Sequence, residues 1–239
     1  MAATKRAIRF VTFDALYTLL KPRAPIPVQY AEAFAAAGLG TLDPNEVGRS
    51  FRAAYKQVHS NKPDAAAESA SSFWQDVISL TALGAGADAK ATKAALPTLV
   101  PQLLQRFSTD EGYRLYPDTI ESLSRLQKME IPYGLITNSD DRILNVLSCF
   151  DNRLLGAFKV WLVSDNIDMA KPDERIFRRA AVEATVERHQ VVHIGDELEN
   201  DYYGAMRAGM HALLLRLHGK DAAAAHEDRS KEDLTGVNV

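Results

Sequence analysis

The stretch Ile8-Arg-Phe-Val-Thr-Phe-Asp14-Ala-Leu-Tyr-Thr18-Leu-Leu20 decides the fold. Ile8, Phe10, Val11 and Phe13 make an apolar run rich in β-formers, the pattern of a strand buried on both faces. The run ends on a carboxylate, Asp14. In open parallel α/β sheets ligands bind beyond the carboxyl ends of the strands, so an acid there is a candidate nucleophile or metal ligand. Taken alone, Asp14 reads better as the start of a turn, a common use of Asp.

Working outward, Lys21-Pro-Arg-Ala-Pro-Ile-Pro27 carries three prolines and reads as a hinge-like exit from the strand. From Val28 to Phe107 the periodicity is helical, predicting Val28–Ala37, Pro44–Ser60, Ser69–Leu83 and Asp88–Arg106, the last kinked or split by Pro97 and Pro101. After Gly112 strands and helices alternate. Strands are expected at Tyr133–Thr137, Lys159–Val163, Val191–Ile194 and His211–Leu215, with helices at Asp118–Met129, Asp140–Phe150, Asp173–Val186 and Asn200–Ala208. That alternation implies a parallel sheet covered by helices, and the first strand must join it to bury both its faces. The expected architecture is therefore α/β, with a Rossmann-like parallel core at residues 1–20 plus 110–218. A helical insert of four helices occupies 21–109, and a charged, Ala-rich disordered tail 219–239.

Composition narrows the function classes. A hydrophobic fraction of 46% supports a packed core, and a net charge of -3 argues against nucleic acid as partner. There is no apolar run of 18 residues to span a membrane and no leader-like h-region, so a cytoplasmic protein is expected. The single cysteine, Cys149, fits a reducing compartment and reads as a core thiol.

Parallel strands bring their C-terminal ends to one edge. The polar residues there become neighbours: Asp14, Thr137 with Asn138, and Asp196, joined by Lys171 and Asp201 from the following loops and helices. Hard carboxylate oxygens suit Mg²⁺, and a backbone carbonyl near Leu16 offers another ligand. Lys171 would neutralise the acids, Thr137 would grip phosphate oxygens, and Asp14 would attack phosphorus. Each residue has a plain structural reading, as turn, cap or exposed lysine; their joint placement at successive strand ends argues for chemistry.

These residues resemble the haloacid dehalogenase (HAD) superfamily. Phe13-Asp14-x-x-x-Thr18-Leu19, Ile136-Thr137-Asn138, Lys171-Pro172-Asp173 and Gly195-Asp196-x-x-x-x-Asp201 match its four motifs in order and spacing. The position of the insert resembles the helical cap of the dehalogenase and phosphoglycolate-phosphatase branch. The exit from the first motif and Ser72-Phe73-Trp74-Gln75-Asp76 resemble the eukaryotic HAD-like hydrolase domain-containing proteins. The resemblance implies Asp14 as nucleophile and Mg²⁺ as cofactor, held by Asp14, Asp196 and the Leu16 carbonyl with Asp201 in support. It implies Thr137, Asn138 and Lys171 as binders of a small anionic substrate.

One departure matters. HAD phosphatases carry a second Asp two residues after the nucleophile, as general acid and base; here it is Leu16, followed by Tyr17 where Gly is usual. General acid–base catalysis contributes about 10²–10⁴ in rate, so ordinary alkyl phosphates should turn over poorly. Haloacid dehalogenases also lack that Asp, but they use no metal. Three readings follow: a Mg²⁺-dependent hydrolase of activated phosphates, a metal-independent 2-haloacid dehalogenase, or a catalytically weak HAD-fold binding protein. Tyr30, Tyr55, Phe73 and Trp74 are read as packing of the helical insert, His193 as core, and Lys21 and Arg23 as exposed.

Overall fold

The computed structural model describes residues 7–61, 70–150, 156–216 and 232–239. They fall into two compact units, Met1–Lys21 with Tyr113–Val239, and Pro22–Gly112. Strands β1 (Phe10–Phe13) and β2 (Leu20–Pro22) precede four helices: α1 (Ile26–Ala36), α2 (Pro44–Asn61), α3 (Ala70–Gly84) and α4 (Ala89–Arg106). Then come β3 (Tyr113–Leu115), α5 (Thr119–Lys128), β4 (Tyr133–Thr137), α6 (Arg142–Phe150) and β5 (Phe158–Val163). The last elements are α7 (Glu174–Glu183), β6 (Val191–Gly195), a wide helical turn at Leu198–Tyr203 running into α8 (Gly204–Arg207), and β7 (His211–Leu214).

The main sheet has the order β5-β4-β1-β6-β7, with every pair parallel. β1 is the middle strand, flanked by β4 (Phe13 opposite Leu135) and β6 (Phe13 opposite Ile194). After β5 the chain crosses to the far side of β1, so the C-terminal end of β1 is the point where the strand order reverses. Crevices at such points receive ligands in open α/β sheets. Alternation along β1 divides the core. Phe10 faces a cluster with Ile176, Phe177, Ala180 and Ala205 from α7 and α8. Val11 and Phe13 face a second cluster with Leu123, Ile143, Val146 and Leu147 from α5 and α6. The result is a helix–sheet–helix sandwich in which each large buried side chain contributes about 1.5–3 kcal/mol.

The second unit is helical. Tyr30 is buried among Phe34, Phe51 and Phe107, and Phe51, Phe73 and Trp74 pack around Ala54, Val58 and Val77. Tyr55 touches Phe73 and Trp74 but keeps 39% of its surface exposed. α4 runs unbroken through Pro97 and Pro101. Both prolines lie on its exposed face, where water can satisfy the carbonyls that lose their N–H partners.

Several expectations need correction. β3 had no clear sequence signal, yet it pairs with β2. That pairing buries Lys21, whose ammonium sits 4.9 Å from the centre of the Tyr116 ring, so Lys21 is not an exposed residue. Arg23 is half-exposed, as expected, and its Nε donates to the Asp110 carbonyl at 2.6 Å. Cys149 is exposed: Ile143, Val146 and Leu147 form the buried stripe of α6, and position 149 falls opposite. Asp118 precedes α5 without a side-chain capping bond. Of the expected disordered tail 219–239, residues 219–231 lie outside the described residues. Of residues 232–239, Leu234 and Val237 pack against the cluster around Phe10, and Asp233, Thr235, Gly236, Asn238 and Val239 stay exposed.

Candidate active site

β1 delivers Asp14 to the middle of the sheet edge, and the Asp14 N–H donates to the Ile194 carbonyl at 2.9 Å. The chain then folds tightly. The Ala15 carbonyl accepts from the amides of Leu19 (2.9 Å) and Leu20 (3.1 Å), and the Tyr17 N–H donates to the Leu20 carbonyl at 2.7 Å. This turn puts Tyr17 at φ +63°, a conformation natural to glycine. A left-handed non-glycine residue costs about 1–2 kcal/mol, which burial of the Tyr17 ring offsets. The bulk of Tyr17 therefore does not prevent the positive φ. Leu16 is half-buried in this turn and bridges to Leu20.

Lys171, in the loop between β5 and α7, is the hub of the site. Its Nζ donates to Asp14 Oδ1 at 2.5 Å and to Asp201 Oδ1 at 2.6 Å, with both acids and the lysine buried. Asn138 fixes the lysine's main chain from the end of β4. Its Nδ2 donates to the Lys171 carbonyl and its Oδ1 accepts from the Lys171 N–H, both at 2.8 Å. Asn138 therefore positions Lys171, and its exposed amide keeps a second N–H and a second lone pair for the substrate-binding role expected of it. Thr137 is buried at the same sheet edge, with its hydroxyl 3.0 Å from that of Ser139.

Asp201 is anchored on every side. Besides Lys171, its Oδ1 meets His193 Nε2 at 3.0 Å, and its Oδ2 accepts the Glu197 N–H at 2.9 Å. His193 Nδ1 in turn lies 2.9 Å from the Thr12 hydroxyl. With burial holding the His193 pKa down, the ring is neutral; Nε2–H donates to Asp201 and Nδ1 accepts from Thr12. The sequence reading left His193 in the core and passed over Thr12. The available signal was strand parity: Thr12 shares a face with Asp14, and His193 is its register partner on β6.

Gly195 explains the tightness. A Cβ there would sit 2.1 Å from Asp201 Cγ, so only glycine lets the carboxylate fold back under the end of β6. Asp196, also buried, completes a trio with Asp14 and Asp201 in which one oxygen from each lies within 4.8 Å of the others.

The electrostatics follow from three buried acids around one lysine. Burial pushes the Asp14 carboxyl up to about 8, a rise opposed by Lys171 and reinforced by Asp201 and Asp196. Burial works against the charged form of Lys171, but the Asp14 and Asp201 carboxylates hold its pKa above the ordinary lysine value. Burial also works against ionised Asp201, yet Lys171 and the His193 hydrogen bond hold its pKa well below the usual carboxylate range. Lys171 is thus shared between the two acids, of which Asp201 has the further support of His193 and Asp14 is dominated by its burial.

Residues 8–209 match the family described as haloacid dehalogenase-like hydrolase. The chain belongs to that family. Haloacid dehalogenase-like hydrolase domain-containing protein 3 of Xenopus laevis is 32% identical over 213 residues, covering 87% of this chain and 84% of the relative. Among solved structures, a 2-haloacid dehalogenase from Pseudomonas syringae pv. Tomato DC3000 superposes with a TM-score of 0.57 at 25% identity, over 93% of this chain and 91% of that one. The HAD-family protein YfnB from Bacillus subtilis, bound to magnesium, superposes with a TM-score of 0.56 at 18% identity, over 88% and 89%. The fold of this HAD-like hydrolase is therefore the α/β fold expected from the motifs. Among the described residues, no helix is long and apolar enough to cross a membrane.

Proposed function

We propose that this HAD-like hydrolase is Mg²⁺-dependent and transfers a phosphoryl group to Asp14 from a small anionic substrate whose leaving group departs without a proton. The observation that carries the reading is the buried cluster of Asp14, Asp196 and Asp201 around a single lysine. Its donors are all hard oxygens, which suit Mg²⁺, and burial beside two other acids pushes the Asp14 carboxyl up to about 8. Asp14, Asp196 and the Leu16 carbonyl would hold the ion, with Asp201 in support through Lys171. Bound Mg²⁺ would supply charge neutralisation for Asp14 and for the phosphoryl oxygens.

In the first step a carboxylate oxygen of Asp14 bonds to phosphorus. The bond to the leaving oxygen breaks and that oxygen takes the electron pair. Lys171 and Thr137 bind the phosphoryl oxygens. With leucine at position 16 nothing hands the leaving group a proton, so carboxylate and phenolate leave well and alkoxide poorly. Water then attacks the phosphorus of the aspartyl-phosphate, releasing phosphate and restoring Asp14. No carboxylate at position 16 takes that water's proton, so this step is the slower one. The helical unit is read as the family's cap, carrying substrate choice.

The test is hydrolysis of acetyl phosphate and p-nitrophenyl phosphate with Mg²⁺ and with EDTA. Turnover should require Mg²⁺ and show a burst of about one p-nitrophenolate per chain, the mark of an accumulating covalent intermediate. Asp14→Asn should lower the rate by about 10⁴ or more. Activity unchanged in that variant defeats the proposal. A dehalogenase reading is favoured by Leu16 and by the likeness to the P. syringae enzyme. Halide release from short 2-haloacids in EDTA would select it.

A further inference from the structure

The segment 232–239 lies against the sheet unit next to the loop that carries Asp196 and Asp201. Leu234 and Val237 pack on the cluster around Phe10, Phe177 and Tyr202. The Leu214 N–H, on the edge strand β7, donates to the Asn238 carbonyl at 2.8 Å, so the segment covers part of an otherwise open strand edge. The Asn238 N–H donates to the Tyr202 hydroxyl at 3.2 Å, one residue from Asp201. At the other end of the loop, the Arg216 guanidinium donates to the Asp196 carbonyl and to the Leu215 carbonyl (3.0 Å), and its second Nη is paired with Glu232. The Arg216 and Glu232 side chains are only 14% and 21% exposed, so solvent screens this pair less than a surface salt bridge.

Both ends of the acidic loop are thus tied to one distant segment. We infer that residues 232–239 are a brace for the loop 195–203, with Arg216 and Glu232 as positioning residues that hold Asp196 over Asp14. The mechanical part of this inference stands on the contacts above; its effect on metal binding rests on the function proposed for the site. Partners one shell out from metal-binding carboxylates change affinity by about 10–100-fold when removed, and the Asp196 carbonyl is held by such a partner.

The experiment compares the full chain with Glu232→Gln and with a chain lacking residues 232–239. Amide hydrogen exchange across 195–203 is followed in EDTA, and Mg²⁺ binding by titration calorimetry. Both variants should exchange about tenfold faster across 195–203 with β4 unchanged, and bind Mg²⁺ about tenfold more weakly. Arg216→Met should cost more affinity in the full chain than in the shortened one, because the shortened chain has already lost the Glu232 partner that seats the guanidinium against the Asp196 carbonyl. Unchanged exchange in both variants overturns the brace. Faster exchange in a protein that binds no Mg²⁺ at all keeps the brace and sinks the metal-dependent function. If the shortened chain does not fold, Glu232→Gln alone decides.

Discussion

Asp14 has two unlike neighbours. On one side lies a sealed set of charged and polar groups, Thr12, His193, Asp201 and Lys171, each hydrogen-bonded to the next. On the other lies the turn 15–20, held by backbone bonds and built of Ala15, Leu16, Tyr17, Thr18, Leu19 and Leu20. The charged side holds Asp201 in place through Lys171, His193 and the Glu197 N–H. The turn side carries no carboxylate to move a proton at position 16. On the function proposed for this site, the absence of a carboxylate at position 16 would make it choose substrates by their leaving group, which is why acyl and aryl phosphates are the proposed class.

The sharpest way to break this contrast is to restore the missing function on the apolar side. Leu16→Asp should raise kcat/KM for an alkyl phosphate by about 10²–10⁴, and change that for p-nitrophenyl phosphate far less. Leu16 is half-buried, so an Asp there keeps access to solvent. A folded variant with no gain on the alkyl ester would mean that the charged side is not otherwise competent.

The charged side is broken at Gly195. In Gly195→Ala the new methyl overlaps the Asp201 carboxylate, with 2.1 Å to Cγ and 2.3 Å to Oδ2. Asp201 must move, and Lys171 and His193 lose the partner that fixes them. Expected losses are about 10–100-fold in Mg²⁺ affinity, with a matching fall in turnover of p-nitrophenyl phosphate. Affinity and rate within twofold of the parent would show that the tight seat of Asp201 is dispensable.

How much of this was legible depended on where each signal lives. Asp14, Thr137, Asp196 and Lys171 could be gathered at one edge because apolar strand runs announce themselves and parallel strands end together. Thr12 and His193 were harder, because polar residues inside apolar runs declare themselves only when strand register is known. Lys21 looked exposed because its cover, β3, is three residues long and lies about ninety positions away. Residues 232–239 were hidden by the charged composition of the segment before them. Their attachment rests on single side chains, Leu234, Val237 and Glu232, and not on a periodic pattern. Cys149 was a matter of phase: the apolar stripe of α6 was read correctly and the cysteine assigned to the wrong side of it.

The smallest effect separates the two sides thermodynamically. Asp14 keeps its proton in the folded chain up to about pH 8, whereas the unfolded chain releases it near 3.8. Between those values the native state binds more protons, so this group removes stability as pH rises and stops doing so above about 8. Asp201, with its depressed pKa, acts in the opposite sense: its contribution is present above the unfolded value and is lost as pH falls below it. In EDTA, Asp14→Asn should therefore melt close to the parent below about pH 4 and increasingly above it as pH rises towards 8. A gain of about 1 kcal/mol corresponds to roughly 2–4 °C in a chain of this size. Saturating Mg²⁺ should reverse the order at pH 8, since only the parent keeps the carboxylate that the ion stabilises. Parallel melting curves for the two proteins across this range in EDTA would mean that burial does not raise the Asp14 carboxyl.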